Sequence, residues 1–205
     1  MTATRLDLVR HGHVQNPQRK VYGRLPGWKL SAMGRGQAAG VAEHLARRPI
    51  VHVYSSPLER ATETAAAIAA ACGVAVSIDE DFIESSLGAH WEGLRWTDVR
   101  STRHAELDAY LHRPHEVDFV DETFAALGAR MTRALAALAV RHAGQEVVVV
   151  SHGDPIKAAI CLLEGKPIAR LHDLRVRTGA LVAIEMGSGP ARVVQQWEPP
   201  RMGTR

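Results

Sequence analysis

The alternation of apolar and polar residues along the chain predicts a series of short strands. Residues 5–10 (RLDLVR) alternate and run into Gly12, which is typical of a strand followed by a loop. The strongest strand signal is Glu146–Ser151 (EVVVVS), because a continuous apolar run suits a strand that is covered on both faces. The other predicted strands are residues 50–54, 74–78, 181–185 and 192–197.

Several stretches between these strands have apolar residues at helical spacing, which predicts helices there. Ser31 is a candidate N-cap for the first helix, and Gly73 follows the second helix as a stop signal. Residues 56–59 (SPLE) form a capping box with Pro57 at the first helical position. Residues 79–114 show no clean period. The predicted helices are residues 31–48, 57–71, 122–142 and 154–163.

Strands that alternate with helices predict an α/β fold with a largely parallel sheet. A length of 205 residues is enough for one domain with a full hydrophobic core. Because no repeat, low-complexity tract or linker divides the chain, we expect a single domain over residues 1–205.

Composition narrows the class of protein. The chain is 46% hydrophobic and 23% charged, which is typical of a soluble globular protein and excludes intrinsic disorder. No apolar stretch approaches the roughly 20 residues of a spanning helix, so no membrane partner is expected. The net charge of +3 comes from dispersed cations, which favours small anions over nucleic acid as partners. Two distant cysteines and the lack of a signal-peptide pattern predict a cytoplasmic protein.

Cationic and nucleophilic residues follow three of the predicted strands. Arg10 and His11 come after the first strand, Arg60 soon after the second, and His152 after the strongest. Ligands in open α/β sheets bind beyond the carboxyl ends of the strands, so we expect these side chains to meet. Guanidinium groups match phosphate oxygens, and a neutral imidazole is nucleophilic near neutral pH. The sequence therefore predicts a site for a phosphoryl group.

Further features of this edge bear on the chemistry. The run Gly153-Asp154-Pro155 predicts a helix start, and helix N-termini bind anions. A departing alkoxide needs a proton, and residues 79–84 (DEDFIE) hold four acids among which the sequence alone does not choose. His11 and His13 would supply two metal ligands, but no second cluster at metal-site spacing accompanies them. No metal and no cofactor are therefore expected.

Four short motifs stand out along the chain. They are residues 8–12 (LVRHG), residues 54–61 (YSSPLERA), Glu84 with Gly88 and residues 91–93 (WEG), and residues 148–153 (VVVSHG). In this order and approximate spacing they resemble the histidine phosphatase superfamily, in its phosphoglycerate mutase-like branch. The resemblance covers most of the chain and is far more specific than a lone RHG tripeptide.

The resemblance implies a fold and a set of catalytic roles. The fold would be a three-layer α/β/α sandwich with a mostly parallel central sheet. His11 would be the nucleophile that becomes phosphohistidine, and Glu84 would protonate the leaving group and then activate water. Arg10, Arg60 and His152 would complete the phosphate pocket, with His152 also taking part in catalysis.

The resemblance also suggests supporting and substrate contacts. Asn16 and the backbone of Gly153 would add contacts to the phosphate. Tyr22, Arg24 and Trp91 are candidates for contacts with the organic part of the substrate, although packing against the loops explains Trp91 equally well. The chain departs from the family pattern near the substrate side, for example at His13 and at residues 177–178 (RT).

The function implied is a metal-independent phosphoric monoester hydrolase of the histidine acid phosphatase type, acting on a small phosphorylated molecule. Two alternatives stay open. A mutase would return the phosphoryl group to an organic acceptor, but mutases of this kind usually carry a longer insertion than residues 94–121. A non-catalytic phospho-ligand binding module would need neither His11 nor Glu84. The sequence leaves the substrate and the oligomeric state open, a homodimer being one state that it allows.

Overall fold

The structure is a computed structural model that describes residues 3–87 and 90–200, so Gly88 of the third motif lies outside the described residues. Its centre is one sheet of six strands in the order β3-β2-β4-β1-β5-β6. The strands are β1 (Thr4–Arg10), β2 (Ile50–Ser55), β3 (Val76–Ile78), β4 (Glu146–Ser151), β5 (Leu181–Met186) and β6 (Arg192–Trp197).

The pairing of the strands confirms a mostly parallel sheet. Strand β4 runs parallel to both β1 and β2, and β2 runs parallel to β3. The closing strands are antiparallel, β5 to β1 and β6 to β5. In the register of the central strands, Arg10 lies beside Ser151 and Ser55 beside Val150. The carboxyl ends of β1, β2 and β4 therefore meet at one edge of the sheet, as expected.

Helices cover both faces of this sheet, which confirms the three-layer sandwich. The first pair, α1 and α2, packs on one face, and α5 with α6 packs on the other. The helices are α1 (Ala32–Leu45), α2 (Glu59–Cys72), α3 (Trp96–Thr102), α4 (His104–His112), α5 (Phe124–Arg141) and α6 (Gly153–Leu163). Single 3₁₀ turns occupy Glu80–Phe82, Pro114–Glu116 and Ile168–Asp173.

The apolar run of β4 explains why the sheet is buried on both faces. Successive side chains of a strand point to opposite faces. Val147 and Val149 accordingly pack in the core under α5 and α6, while Val148 and Val150 pack under α1 and α2. All four valines are fully buried. The strand is thus held rigidly from both sides, and the residues that follow it start from a fixed position.

The two predicted helix starts have different outcomes. Ser31 caps α1 as expected, its hydroxyl accepting a hydrogen bond from Gly34 N–H at 3.0 Å. The capping box at residues 56–59 is wrong, because α2 begins at Glu59 and not at Pro57. Ser56 N–H donates instead to Val150 O across the sheet, which leaves nothing for a returning carboxylate to cap. The extended chain delivers the Ser56 side chain to the edge where the strands end.

The stretch without a clean period builds a small second core. Helices α3 and α4 fold over the carboxyl edge of the sheet and share a buried cluster with the loop after β1. Its members are Val21, Leu87, Trp91, Val99 and Leu107. Within residues 3–87 and 90–200, no helix has the length and apolar character needed to cross a bilayer.

Candidate active site

The loop after β1 is fixed by close backbone contacts. His11 N–H donates to Ser151 O at 3.0 Å, and Gly12 N–H donates to Thr64 Oγ1 of α2 at 3.1 Å. A Cβ at Gly12 would overlap the carbonyl of Gly34 at the start of α1, so glycine is needed for this approach. The backbone of His11 is therefore held between β4, α1 and α2.

The hydrogen bonds of His11 determine its tautomer. Nδ1 lies 2.8 Å from Gly12 O, and because a carbonyl only accepts, Nδ1 carries the ring proton. Arg60 Nε donates to Nε2 at 3.3 Å, so Nε2 presents its lone pair. Burial, together with Arg60 and Arg10, holds the pKa of His11 well below its usual value. The imidazole is neutral, and Nε2 is its nucleophilic atom.

Two guanidinium groups flank this ring. Arg60, in the first turn of α2, is fully buried, donates from Nη2 to Gly23 O at 2.7 Å and lies 4.8 Å from the centre of the Tyr22 ring. Arg10, at the end of β1, donates from Nη1 to Val176 O at 2.8 Å. Within the described residues, Arg60 Nη1 and Arg10 Nε are buried and have no hydrogen-bond partner.

The imidazole of His152 lies beside that of His11. Its Nε2 lies 2.7 Å from Ser56 Oγ, and Ser56 Oγ in turn accepts from Leu58 N–H at 3.4 Å. We therefore infer that the Ser56 hydroxyl donates to Nε2 of His152 and that the ring proton of His152 is on Nδ1. This Nδ1 is buried and unpartnered in the described part of the chain. The His152 ring centre is 5.0 Å from that of His11, and burial with Arg60 holds the pKa of His152 well below its usual value.

We name Arg10 Nε, Arg60 Nη1 and His152 Nδ1 the open nitrogens. Buried polar groups in proteins almost always have a partner, and one that lacks it in the folded chain calls for an explanation such as a ligand. Three such donors around one neutral imidazole suit a phosphoryl dianion, whose oxygens accept several charge-assisted hydrogen bonds. The arrangement is a preformed anion cradle with a nucleophile at its floor.

Glu84 lies near one of the open nitrogens. Its Oε1 accepts from Ser85 N–H at 2.9 Å, and its Oε2 lies 3.9 Å from His152 Nδ1. Burial and the nearby charge of Asp154 raise the pKa of Glu84 to about 7, against the opposing effect of Arg60 and Arg10. A substantial fraction of Glu84 is therefore protonated near neutral pH, as a general acid requires.

A cavity of about 260 Å³ opens beside these groups and is the candidate substrate pocket. Its volume is somewhat below the range typical of drug-sized ligands, which suits a small substrate. The pocket is lined by Arg10, Lys20, Val21, Tyr22, Gly23, Glu84, Ser85, Leu87, Trp96, Tyr110, Gly153, Asp154 and Lys157. His11, Arg60 and His152 lie beneath this lining, each at most 1% exposed.

Gly153 is placed as expected, at the first position of α6 and in the pocket wall. A Cβ there would lie 3.2 Å from the guanidinium carbon of Arg10, which is tighter than ordinary contact. Glycine thus lets Arg10 lie against the start of the helix, where free N–H groups attract anions. Tyr22 also lines the pocket, as expected for a substrate contact.

Three of the residues expected to contact the substrate or phosphate do not line the pocket. Trp91 is fully buried in the second core, where its indole N–H donates to Glu106 Oε2 at 2.5 Å. Arg24 donates from Nε to the backbone O of Glu84 at 2.7 Å, and its Nη2 lies 3.5 Å from Glu122, so its charge is held outside the pocket. Trp91 is therefore a packing residue, and Arg24 holds the backbone of Glu84.

Asn16 is the third of these residues. Its side-chain amide donates to Lys20 O at 2.8 Å and accepts from Lys20 N–H at 2.9 Å. Both polar ends of the side chain therefore close their own loop, and a direct phosphate contact would break these bonds. Asn16 instead shapes the loop that brings Lys20 and Tyr22 into the pocket wall.

Several pocket residues were missed by reasoning from the sequence. Asp154 was noticed only as part of a helix start, and Ser56 only as a helix cap. Lys157 follows Asp154 by three residues on the predicted helix. Residues at this spacing lie on the same helix face, so the position of Lys157 beside Asp154 could have been predicted. Tyr110 comes from the stretch without a clean period, where no signal pointed to the site.

A protein metal site needs several ligating side chains close together. Across positions 3–87 and 90–200, no three His, Cys, Asp or Glu side chains are grouped so that they would hold an ion. The positive charge that faces the pocket comes from arginine and lysine side chains.

Comparisons with known proteins identify the family and the fold. A family model described as the histidine phosphatase superfamily (branch 1) matches residues 6–198. The uncharacterized protein Rv0525 of Mycobacterium tuberculosis is 44% identical over 188 residues, with 88% of each chain covered. Phosphoserine phosphatase 1 of Hydrogenobacter thermophilus is 34% identical over 168 residues, covering 81% of this chain and 79% of that protein. The solved structure of Bacillus stearothermophilus YhfR has a TM-score of 0.86 at 27% identity, covering 93% of this chain and 95% of the other.

Proposed function

The chain belongs to the histidine phosphatase superfamily (branch 1), and on this basis we propose that it hydrolyses a small phosphomonoester through a phosphohistidine at His11. The observation that carries the proposal is the set of open nitrogens around the neutral His11, with Glu84, a substantial fraction of it protonated, 3.9 Å from His152 Nδ1. The relative named phosphoserine phosphatase 1 supports a phosphatase reaction on a small substrate.

The first step is transfer of the phosphoryl group to the protein. The phosphoryl oxygens accept hydrogen bonds from the open nitrogens, which orient phosphorus over His11. The lone pair of Nε2 attacks phosphorus, and the bond from phosphorus to the ester oxygen breaks. The positive charge that develops on the imidazole is stabilised by the bond from Nδ1–H to Gly12 O.

The leaving alkoxide takes its proton from Glu84. The carboxyl group lines the pocket, where the organic part of the substrate lies, and its raised pKa keeps it protonated at neutral pH. Proton transfer of this kind contributes a factor of about 10² to 10⁴ in rate. Glu84 is left as a carboxylate when the alcohol departs.

The second step returns the protein to its starting state. The Glu84 carboxylate takes a proton from a water molecule, whose oxygen attacks the phosphorus of phosphohistidine. The bond from phosphorus to Nε2 breaks, and inorganic phosphate leaves the cradle. The positive charges come from Arg10 and Arg60, so the proposal includes metal independence and the histidine acid phosphatase type.

Steady-state hydrolysis of an alkyl phosphomonoester such as phosphoserine tests the proposal. We expect His11→Ala to abolish phosphate release and Glu84→Gln to lower kcat by about 10² to 10⁴. With 4-nitrophenyl phosphate, whose leaving group departs without a proton, the first step of Glu84→Gln should be close to that of the wild type. Glu80→Gln is the matched control, since Glu80 is an exposed acid four residues earlier.

Three outcomes would contradict the proposal. Near-wild-type hydrolysis by His11→Ala would exclude a phosphohistidine at this position. Loss of activity on treatment with a chelator, with recovery on addition of zinc, would contradict metal independence. Transfer of the phosphoryl group to an added organic alcohol in preference to water would identify a mutase.

A further inference from the structure

A second buried carboxyl group lies beside the proposed proton donor. Asp154, in the first turn of α6, is 7% exposed and lines the same pocket as Glu84. The hydroxyl of Ser85 joins the two groups, since its Oγ lies 3.3 Å from Glu84 Oε1 and 3.5 Å from Asp154 Oδ2. Two carboxyl groups so close together in a buried site do not both ionise readily, because like charges repel there.

The hydrogen-bond donors around Asp154 favour its charged form. Lys157 Nζ lies 3.0 Å from Oδ1, and the Tyr110 hydroxyl donates to Oδ2 at 2.8 Å. Burial alone would raise the pKa of Asp154, but Lys157, His172 and Tyr110 together hold that pKa below its usual value. Asp154 is therefore the carboxylate of the pair.

The surroundings of Glu84 favour its neutral form. Its Oε1 accepts from the N–H and the hydroxyl of Ser85, which favour a carboxylate and so oppose the neutral form, but burial outweighs them. Burial raises the pKa of Glu84, and the charge of Asp154 is the next largest cause of the increase. The single proton that the pair retains near neutral pH therefore resides on Glu84.

We propose that Asp154 is a positioning residue for the reaction: held as a carboxylate by Lys157 and Tyr110, it keeps the proton on Glu84 that the leaving group receives. Asp154 exchanges no proton itself and acts through Glu84. The inference rests on the proposed function for the use of that proton, but the placement of the proton is a property of the free protein. Tyr110 of α4 and Lys157 of α6 would in this way help to set the protonation state of Glu84.

Other charged and titratable groups face Glu84 and Asp154 and also affect the pKa values of these two carboxyl groups. Arg10 from the end of β1, Arg60 from α2 and His152 at the start of α6 face Glu84, and Arg24 binds its backbone carbonyl. Further groups near one or both carboxyls are Tyr22, Tyr110, Lys157 and His172. The variants below leave all of these side chains in place.

The pH dependence of kcat/KM for an alkyl phosphomonoester tests the proposal. Asp154→Asn removes one negative charge, so Glu84 should ionise more easily and the alkaline limb of the profile should move to lower pH by about one unit. Asp154→Glu keeps the charge, and its alkaline limb should stay near that of the wild type. Asp118→Asn, the same change at an exposed aspartate, is the matched control and should not move the limb.

Carbon-13 NMR of the side-chain carboxyl groups of the free protein tests the same point without turnover. Glu84, assigned by the loss of its signal in Glu84→Gln, should titrate near 7 in the wild type and at lower pH in Asp154→Asn. Asp154 should titrate below Glu84 in the wild type, a result that does not require any Asp154 variant to fold.

Two results would overturn the inference: an alkaline limb and a Glu84 midpoint that Asp154→Asn leaves unchanged, or a wild type in which Asp154 titrates above Glu84. A wild type that hydrolyses no phosphomonoester would contradict the proposed function, and the carboxyl titration would then decide this inference by itself.

Discussion

In the middle of β1, Asp7 lies fully buried between two arginines that come from the amino end of the sheet, whereas at the end of the same strand Arg10 and the neighbouring Arg60 face the anion cradle. Asp7 Oδ2 is 2.9 Å from Arg48 Nη1, and Asp7 Oδ1 is 3.3 Å from Arg5 Nε. Arg48 also contacts Glu146 of the adjacent β4 at 2.5 Å. The charges around Asp7 are thus paired within the protein, while at the carboxyl end Arg10 Nε and Arg60 Nη1 have no partner among the described residues.

The difference shows what each set of charges does. A paired buried charge is needed by its partner, so removing one member leaves an uncompensated charge in the protein interior. An open donor is not needed by the fold in this way, and its removal costs binding and catalysis instead. Stability and activity should therefore respond separately at the two ends of one sheet.

The largest effect is expected at the carboxyl end. Arg60→Met removes one open nitrogen and the donor to His11 Nε2, and we expect kcat/KM to fall by about 10³-fold. The free energy of unfolding, measured by urea denaturation, should change by less than about 1 kcal/mol, because removal of a buried, incompletely partnered cation offsets the loss of its bonds to Gly23 O and His11 Nε2. Loss of stability without loss of activity would contradict the comparison.

The matched change at the amino end is expected to have the reverse effect. Arg48→Met leaves Asp7 buried with less compensation, and burial already raises the pKa of this carboxyl. We expect the free energy of unfolding to fall by about 3 kcal/mol. The value of kcat/KM at a temperature where the variant is folded should stay within about twofold of the wild type. A larger fall in activity than in stability would show that the two ends are not independent.

A ligand should sharpen the same contrast. If inorganic phosphate binds the open nitrogens of the folded protein only, as the proposed function requires, then at 100 times its Kd it should raise the free energy of unfolding by about 2.7 kcal/mol. The increase should disappear in Arg60→Met and persist in Arg48→Met. Thermal denaturation over a phosphate titration measures it, and an increase that Arg60→Met retains would place the anion elsewhere.

A further expected effect concerns the stability cost of the raised pKa of Glu84. The folded protein holds this proton between pH 4.5 and about 7, where the unfolded chain has released it, so stability falls as pH rises through this range. Glu84→Gln removes the dependence and should be more stable than the wild type above pH 7, by up to about 3 kcal/mol. Parallel stability curves for the two proteins would contradict a raised pKa.

Much of the fold could be predicted because its signals are local. The apolar run of β4 and the cap at Ser31 depend on neighbouring residues and were confirmed. The capping box at residues 56–59 was wrong because Ser56 N–H finds its partner at Val150, which is distant in sequence. The stretch of residues 79–114 had no period because its helices are short and pack on a small separate cluster.

The candidate site could be predicted to the extent that strand ends determine it. Arg10 and His152 follow directly from parallel strands that end at one edge. Trp91 and Arg24 were assigned to the substrate, yet the residue type does not show which way a loop turns its side chains. Asp154 required a partner, Tyr110, that only the folded chain brings to it.

The most direct test of the central claim is to trap the protein adduct in Glu84→Gln. In this variant 4-nitrophenyl phosphate should still phosphorylate the protein, whereas hydrolysis should be slowed because no carboxylate activates water. Rapid quenching in alkali, followed by phosphorus-31 NMR and peptide mapping, identifies the phosphorylated atom. We predict phosphohistidine linked through Nε2 of His11; a phosphoserine, a linkage through Nδ1, or the absence of any adduct during turnover would contradict the account.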